Sequence, residues 1–135
     1  MRVESAIDGL FGIEYARGGT KAYRFFALEA DRGTMPVGRS NSKQTSYLEK
    51  IAVYREIIAS KVHKAHWGLP NLLVLTLTTS EARMNDIIAR LEGQTGDSAA
   101  FLFKAVGASE TLAPATHLLS KPWQRAALPP LRIDE

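Results

Sequence analysis

The chain has 135 residues, 45% of them hydrophobic and 23% charged, a composition that suits one globular domain with a single core. It contains no cysteine, which excludes disulfides, thiolate zinc sites and cysteine nucleophiles. Its longest apolar run, residues 72–77, is too short to cross a bilayer, and no segment resembles a secretory signal. We therefore predict one domain spanning residues 1–135 in the cytoplasm, with no membrane partner.

Charge is distributed unevenly along the chain, although the net formal charge is only +3. Acidic residues are frequent near the start, whereas the stretch from residue 32 to residue 64 is mainly basic: Arg32, Arg39, Lys43, Lys50, Arg55, Lys61 and Lys64. An acidic pocket beside a basic surface is what a metal-using enzyme of phosphodiesters needs. An ordinary solvated helix face explains the same basic residues equally well.

The first predicted elements form a β-hairpin. Residues 7–15 and 21–31 are rich in aromatic and apolar side chains, and they flank a turn at residues 17–20 that contains Gly18 and Gly19. A loop of two or four residues sets residue 17 opposite residue 20, and the same register places Asp8 opposite Glu29. A three-residue loop or a bulge would shift this register.

Two helices and two further strands follow. A helix is predicted from Ser46, which has capping-box spacing to Glu49, and it ends before Gly68 and Pro70. Its apolar stripe is Tyr47, Ile51, Tyr54, Ile58 and Val62. Further predictions are a buried strand at 71–78, a helix from Thr79 or Ser80 to Leu91 and a strand at 99–106, followed by an irregular tail at 107–135 that Trp123 anchors. The order β-β-α-β-α-β predicts an α/β (α+β) fold with a central mixed sheet flanked by helices.

Three carboxylates meet on one face of this predicted hairpin. Side chains alternate along a strand, so Glu29 and Asp31 point the same way, and Asp8 lies opposite Glu29. Facing acids are unfavourable unless a cation, a basic partner or a shared proton compensates them. Three oxygen ligands would suit Mg²⁺ or Mn²⁺, bound by Asp8, Glu29 and Asp31. Alternatively, these acids are ordinary and Arg24 or Lys21 neutralises them.

These motifs resemble a known family. The run Ile7-Asp8-Gly9-Leu10-Phe11, the glycine-containing hairpin and the run Leu28-Glu29-Ala30-Asp31-Arg32-Gly33-Thr34 resemble the PD-(D/E)XK nuclease superfamily, which has the restriction-endonuclease-like fold. Residues 29–34, with the following helix that carries Lys50, Ile51 and Tyr54, look most like the nuclease-like domain of replication-relaxation proteins of plasmids and other mobile elements. The resemblance covers residues 7–106. It implies metal-dependent hydrolysis of DNA phosphodiesters in a prokaryotic cytoplasm.

The resemblance also implies roles for individual residues. Asp8 takes the place of the first motif Asp and Glu29 that of the second acid, whereas Asp31 stands where the catalytic Lys is expected. Lys50, or else Lys43, would supply that cation from the next helix, with Asp31 as an extra metal ligand. The implied catalytic set is therefore Asp8, Glu29, Asp31 and Lys50. The candidate DNA-binding residues are Arg32, Lys43, Lys50, Lys61 and Lys64.

Two departures from the family keep alternatives open. Replacement of the motif Lys by Asp31 favours a catalytically inactive DNA-binding or assembly module of the same fold. The helix and the winged-helix part that usually precede the first strand are not in the sequence, which indicates a C-terminal fragment of a longer protein or a short protein that borrows them from a partner or a second copy. A homodimer formed through an edge strand, or a complex with replication or mobilisation proteins, would fit either alternative.

Overall fold

A computed structural model describes residues 9–31, 47–93, 98–106 and 121–134 of the chain. The strands and helices, in chain order, are β1 Gly9–Arg17, β2 Thr20–Ala30, α1 Tyr47–Ala59, α2 Val62–Ala65, β3 Leu73–Thr78, α3 Glu81–Glu92, β4 Phe101–Ala105, β5 Trp123–Arg125 and β6 Leu128–Leu131. The strands form one six-stranded sheet in sequence order. β2, β3 and β4 are parallel, and the other neighbours are antiparallel. The predicted α/β class with a mixed sheet is thus confirmed.

The β1–β2 hairpin turns on Gly18 and Gly19, which have φ angles of 56° and 85°. Positive φ at both central residues of a two-residue loop matches the twist of the flanking strands, and glycine adopts it without steric cost. The pairing then runs without a bulge from Arg17 opposite Thr20 to Gly9 opposite Leu28. This is the predicted register. Asp8 lies outside the described residues.

The buried face of helix α1 follows the predicted stripe through Tyr47, Ile51 and Tyr54, but the next buried residue is Ile57 rather than Ile58, and the helix ends earlier. Tyr47, Ile51, Tyr54 and Ile57 are its buried residues, spaced three or four apart so that they share one face. The helix was predicted to continue almost to Gly68. Instead, Lys61 takes a left-handed conformation with a φ of 60°, and the short helix α2 begins after it. Ser46, the predicted cap, lies outside the described residues.

Helix α3 begins where its sequence predicts. The Ser80 side chain accepts a hydrogen bond from the backbone N–H of Arg83 at 3.2 Å, which satisfies one of the unpaired donors of the first turn. Met84, Ile87 and Leu91 are buried against the sheet. The helix therefore leaves the end of β3 directly and returns the chain towards β4.

Two apolar clusters cover the two faces of the sheet. Helices α1 and α3 belong to the same cluster, together with Ala27, Val74 and Phe101 of the strands. The cluster on the other face contains Leu75 and Trp123, with no helical residue among the described parts of the chain. Among the described residues, the helices therefore cover one face of the sheet rather than both. The β2–β3 and β3–β4 connections both lead to the next strand in the same direction across the sheet. Because such connections are right-handed, the helices that they contain lie on the same face.

The prediction of an irregular tail is corrected within residues 121–134. Strands β5 and β6 form a hairpin there, and Trp123 is 1% exposed, in keeping with its predicted anchoring role. The turn carries Ala127 at a φ of 57° rather than a glycine or asparagine, and Pro129 and Pro130 normally argue against a strand. They are tolerated because β6 is the last strand of the sheet. No helix in the described residues is long and apolar enough to span a membrane.

Candidate functional site

Two carboxylates on the helix-covered face of β2 are buried at the end of the strand. Glu29 is 1% exposed and Asp31, directly after the strand, is 7% exposed. They follow Ala27, which belongs to the helix-side cluster, at the two-residue spacing that keeps side chains on one face. Because buried carboxylates are costly unless charged or hydrogen-bonding partners compensate them, the partners of these two residues define the site.

Glu29 is held by two side chains of α1. The ammonium group of Lys50 donates to Oε2 at 3.1 Å, and the hydroxyl of Tyr54 donates to Oε1. Lys50 and Tyr54 are four residues apart, so both side chains leave the helix on the same side. The side chain of Lys50 is 29% exposed whereas that of Glu29 is 1% exposed. Lys50 is therefore partly accessible to solvent, although the carboxylate that it contacts is buried.

Asp31 is held by α3 and β3. Arg83 donates through Nη2 to Oδ1 at 2.9 Å and through Nε to Oδ2, and Thr78 donates to Oδ2 at 2.8 Å. The backbone N–H of Asp31 also donates to the carbonyl of Leu77 at 2.7 Å. Hydrogen bonding to Asp31 is the main cause that raises the pKa of Arg83, against an opposing effect of burial. This bidentate pair fixes the end of β2 to the first turn of α3.

A third polar contact lies beside the two carboxylates. The hydroxyls of Tyr47 and Thr76 are 2.6 Å apart, and Thr76 is the residue of β3 that pairs with Glu29. The predicted apolar stripe of α1 contains Tyr47 and Tyr54. Both are buried as expected, but each also carries a hydroxyl into this polar layer. Buried hydroxyls need such partners, and here they provide hydrogen bonds that position the strand face.

The basic residues first considered as neutralisers of the acids lie elsewhere. Lys21 is 3.3 Å from Glu14, near the turn of the hairpin. Arg24 points to the opposite face of β2, where its guanidinium lies 5.1 Å from the centre of the Tyr15 ring. Lys50 and Arg83 neutralise Glu29 and Asp31 instead. Arg83 was missed because its 52-residue distance in sequence gives no local signal.

The remaining candidate residues divide into three groups. Lys61 and Lys64 are exposed at the junction of α1 and α2. Asp8, Arg32 and Lys43 lie outside the described residues. His63 of α2 is 4% exposed, whereas His66, directly after α2, is exposed. Among the candidate residues that the structure describes, only Glu29, Asp31 and Lys50 are therefore placed together.

A divalent ion would find part of its ligand set here. Glu29 and Asp31 supply the hard oxygen donors that Mg²⁺ and Mn²⁺ prefer. Among the described residues, no group of three or more His, Cys, Asp or Glu side chains is placed to hold an ion. The charged partner of Asp31 is the two-pronged guanidinium of Arg83, whereas the charged partner of Glu29 is a lysine that solvent can reach, beside the hydroxyl of Tyr54. Glu29 therefore fits the role of a metal ligand better than Asp31 does.

No family model, curated protein or solved structure matches the chain. The buried carboxylates and their cationic partners are therefore the observations from which a function is inferred.

Proposed function

We propose that this chain is a metal-dependent DNA endonuclease-like domain with a restriction-endonuclease-like core, acting in the replication or mobilisation of a plasmid or other mobile element. The contact between Lys50 and Glu29, 3.1 Å long, is the observation that carries the proposal. It brings a lysine from the first helix onto the acid that matches the second motif position. A lysine of that helix can replace the motif lysine, which is absent at position 31, only when it lies this close to the acid.

Individual residues then have distinct roles in the proposed reaction. Asp8 and Glu29 would hold Mg²⁺ or Mn²⁺, which activates water for attack on a phosphodiester. Lys50 stabilises the negative charge that develops on the phosphoryl oxygens. Tyr54 holds the Glu29 carboxylate in a fixed orientation. We assign Asp31 to the ion pair with Arg83 and not to the metal, because both of its oxygens accept hydrogen bonds from that side chain.

Basic residues outside this centre would bind the DNA backbone. Lys61 and Lys64 are exposed just after α1, the helix that carries Lys50. Arg32 and Lys43, in the chain between β2 and α1, remain candidates for the same role. Lysine and arginine contacts to phosphates provide affinity that falls steeply with salt and carries no sequence information.

Nicking of supercoiled plasmid DNA tests the proposal. With Mg²⁺ or Mn²⁺, the wild type should nick the plasmid, and Glu29→Gln, Lys50→Met and Asp8→Ala should each lower the rate about 100-fold or more. Glu81→Gln and Lys121→Met are matched controls, since they change an exposed acid and an exposed lysine. Absence of cleavage of supercoiled, linear duplex and single-stranded DNA by the folded wild type with either metal would contradict the proposal.

A second candidate is a catalytically inactive DNA-binding or assembly module of the same fold. The observation that favours it is the burial of Glu29 and Asp31, each with a cationic partner already in place. In that case Lys61→Glu and Lys64→Glu would weaken DNA binding and reduce its salt dependence. Glu29→Gln would leave the affinity unchanged. Fluorescence anisotropy at several salt concentrations separates the two candidates when combined with the nicking assay.

A further inference from the structure

A second surface continues from Glu29 along the same face of β2, towards the hairpin turn. Phe25 and Tyr23 follow Ala27 at alternate positions, and on that face the register pairs Gly12 of β1 with Phe25 and Leu10 of β1 with Ala27. Leu10 is 49% exposed and Tyr23 is 47% exposed. We name Leu10, Gly12, Tyr23 and Phe25 the hairpin platform. Large exposed apolar side chains grouped in this way mark an interaction surface.

The Phe25 ring occupies the space above Gly12. A Cβ atom at residue 12 would lie 2.8 Å from Cε1 and 2.9 Å from Cδ1 of that ring, which is too close for any real contact. The absence of a side chain at Gly12 therefore lets the ring approach the backbone of β1. Glycine in a strand otherwise weakens it, so its presence here has a packing reason.

Asn71 holds the platform in place through its side-chain amide. Its Nδ2 donates to the carbonyl of Tyr23 at 2.8 Å, and its Oδ1 accepts from the backbone N–H of Phe25 at 2.9 Å. The pairing of β2 with β3 starts only at Phe26. The amide therefore replaces the next residues of β3 and keeps this part of β2 extended. The two aromatic side chains are presented from a rigid strand.

Two charged residues, Glu14 and Lys21, lie beside the exposed ring of Tyr23. The Tyr23 hydroxyl donates to Glu14 at 3.1 Å, and the ammonium group of Lys21, whose side chain is 71% exposed, lies 3.3 Å from the same carboxylate. The hydrogen bond to Glu14 is the main cause that raises the pKa of Tyr23. Lysines thus lie at both ends of this face of β2, Lys21 near the turn and Lys50 above Glu29.

We propose that the hairpin platform binds unpaired DNA bases by stacking, so that the strand runs between Lys21 and Lys50. This inference rests on the proposed function and specifies its substrate as DNA with a single-stranded stretch. Exposed aromatic rings beside cations are the usual surface for unpaired bases, since every base has a π face. Tyr23 and Glu29 are six residues apart. This is about 20 Å of strand, the scale of a site for a few nucleotides.

Binding without metal tests the inference independently of cleavage. Fluorescence anisotropy would measure the affinity of the full chain for a labelled oligothymidylate of about 12 nucleotides in EDTA. We expect Tyr23→Ala to weaken binding roughly 5-fold or more, whereas Tyr23→Phe, which keeps the ring, should bind like the wild type. Gly12→Ala should also weaken binding, because the new methyl group displaces the Phe25 ring.

Glu14→Gln provides a test with the opposite sign. It removes a negative charge beside Lys21, so it should tighten binding and steepen the salt dependence. A platform that serves only to pack the hairpin would not produce this change. A duplex of the same length should bind Tyr23→Ala and wild type equally, because its bases are not available for stacking.

Specific outcomes overturn the inference. One is an unchanged affinity of folded Tyr23→Ala for oligothymidylate. Another is a homodimer, detected by light scattering, that dissociates in Leu10→Ser while the DNA affinity stays unchanged. The surface would then bind a second copy of the chain rather than DNA. Since these measurements contain no metal, intact platform binding without nicking would contradict the nuclease proposal alone. Nicking with unchanged Tyr23→Ala binding would contradict the platform alone.

Discussion

Glu29 and Asp31 are the same kind of group on the same strand face, yet their surroundings differ. Asp31 meets the two-pronged guanidinium of Arg83 and the hydroxyl of Thr78. Glu29 meets the hydroxyl of Tyr54 and the ammonium of Lys50, a side chain about twice as exposed as that of Arg83 at 29% against 15%. A planar guanidinium fixes a carboxylate in one orientation, whereas an ammonium on a flexible stem can leave it. The comparison assigns a structural role to Asp31 and an adaptable one to Glu29.

Removal of Arg83 should have the largest effect. Arg83→Met would leave the buried Asp31 carboxylate without its charged partner, and we expect the free energy of unfolding to fall by about 3–5 kcal/mol. Urea unfolding followed by circular dichroism measures it. Arg90→Met is the control, because Arg90 is 49% exposed and pairs with Asp86 one turn away. It should cost at most about 0.5 kcal/mol. Equal losses in the two variants would refute the structural role of Asp31.

Metal binding distinguishes the two carboxylates next. A divalent ion at about 100 times its dissociation constant should add about 2.7 kcal/mol to the stability of the wild type. Thermal unfolding with and without Mn²⁺ measures this gain. We expect Glu29→Gln to lose it, and Asp31→Asn to keep it relative to the same variant without metal. A gain lost in Asp31→Asn and kept in Glu29→Gln would reverse the assignment.

The coupling between Glu29 and Lys50 should be the smallest of the three effects. A double-mutant cycle with Glu29→Gln and Lys50→Met should yield a coupling energy of about 1 kcal/mol, because one partner reaches solvent and the contact is a single hydrogen bond. Urea unfolding of the four proteins measures it. A matching cycle with Asp31→Asn and Arg83→Met should yield more. A larger coupling for the lysine pair would show that Lys50 is not free to act on a substrate.

Local patterns in the sequence were sufficient to predict the hairpin and its register. Gly18 and Gly19 define a two-residue loop, and period-two alternation then assigns Glu29 and Asp31 to one face. The cap at Ser80 and the buried stripe of α3 follow from equally local rules. These features depend on residues within a few positions of one another, so a single sequence contains them.

Features that depend on distant packing could not be predicted in this way. Arg83 reaches Asp31 only because β3 lies parallel to β2 and α3 begins at its end, a relation that no short motif encodes. The break at Lys61 places a non-glycine residue in a left-handed conformation, which local propensity disfavours. The β5–β6 hairpin has proline in a strand and alanine at its turn. Its place at the edge of the sheet makes both acceptable.

The β5–β6 hairpin and the residues after it complete the sheet only after the other strands have been synthesised. Trp123 and Ile133 complete the second apolar cluster by covering Phe26 and Leu75, and the hydroxyl of Tyr15 donates to the carbonyl of Ile133. Both strands of the β1–β2 hairpin and the parallel strands are synthesised earlier. Until residues 123–133 leave the ribosome, this face of the newly made sheet therefore lacks their cover, and chaperones would have a defined apolar surface to bind during that interval.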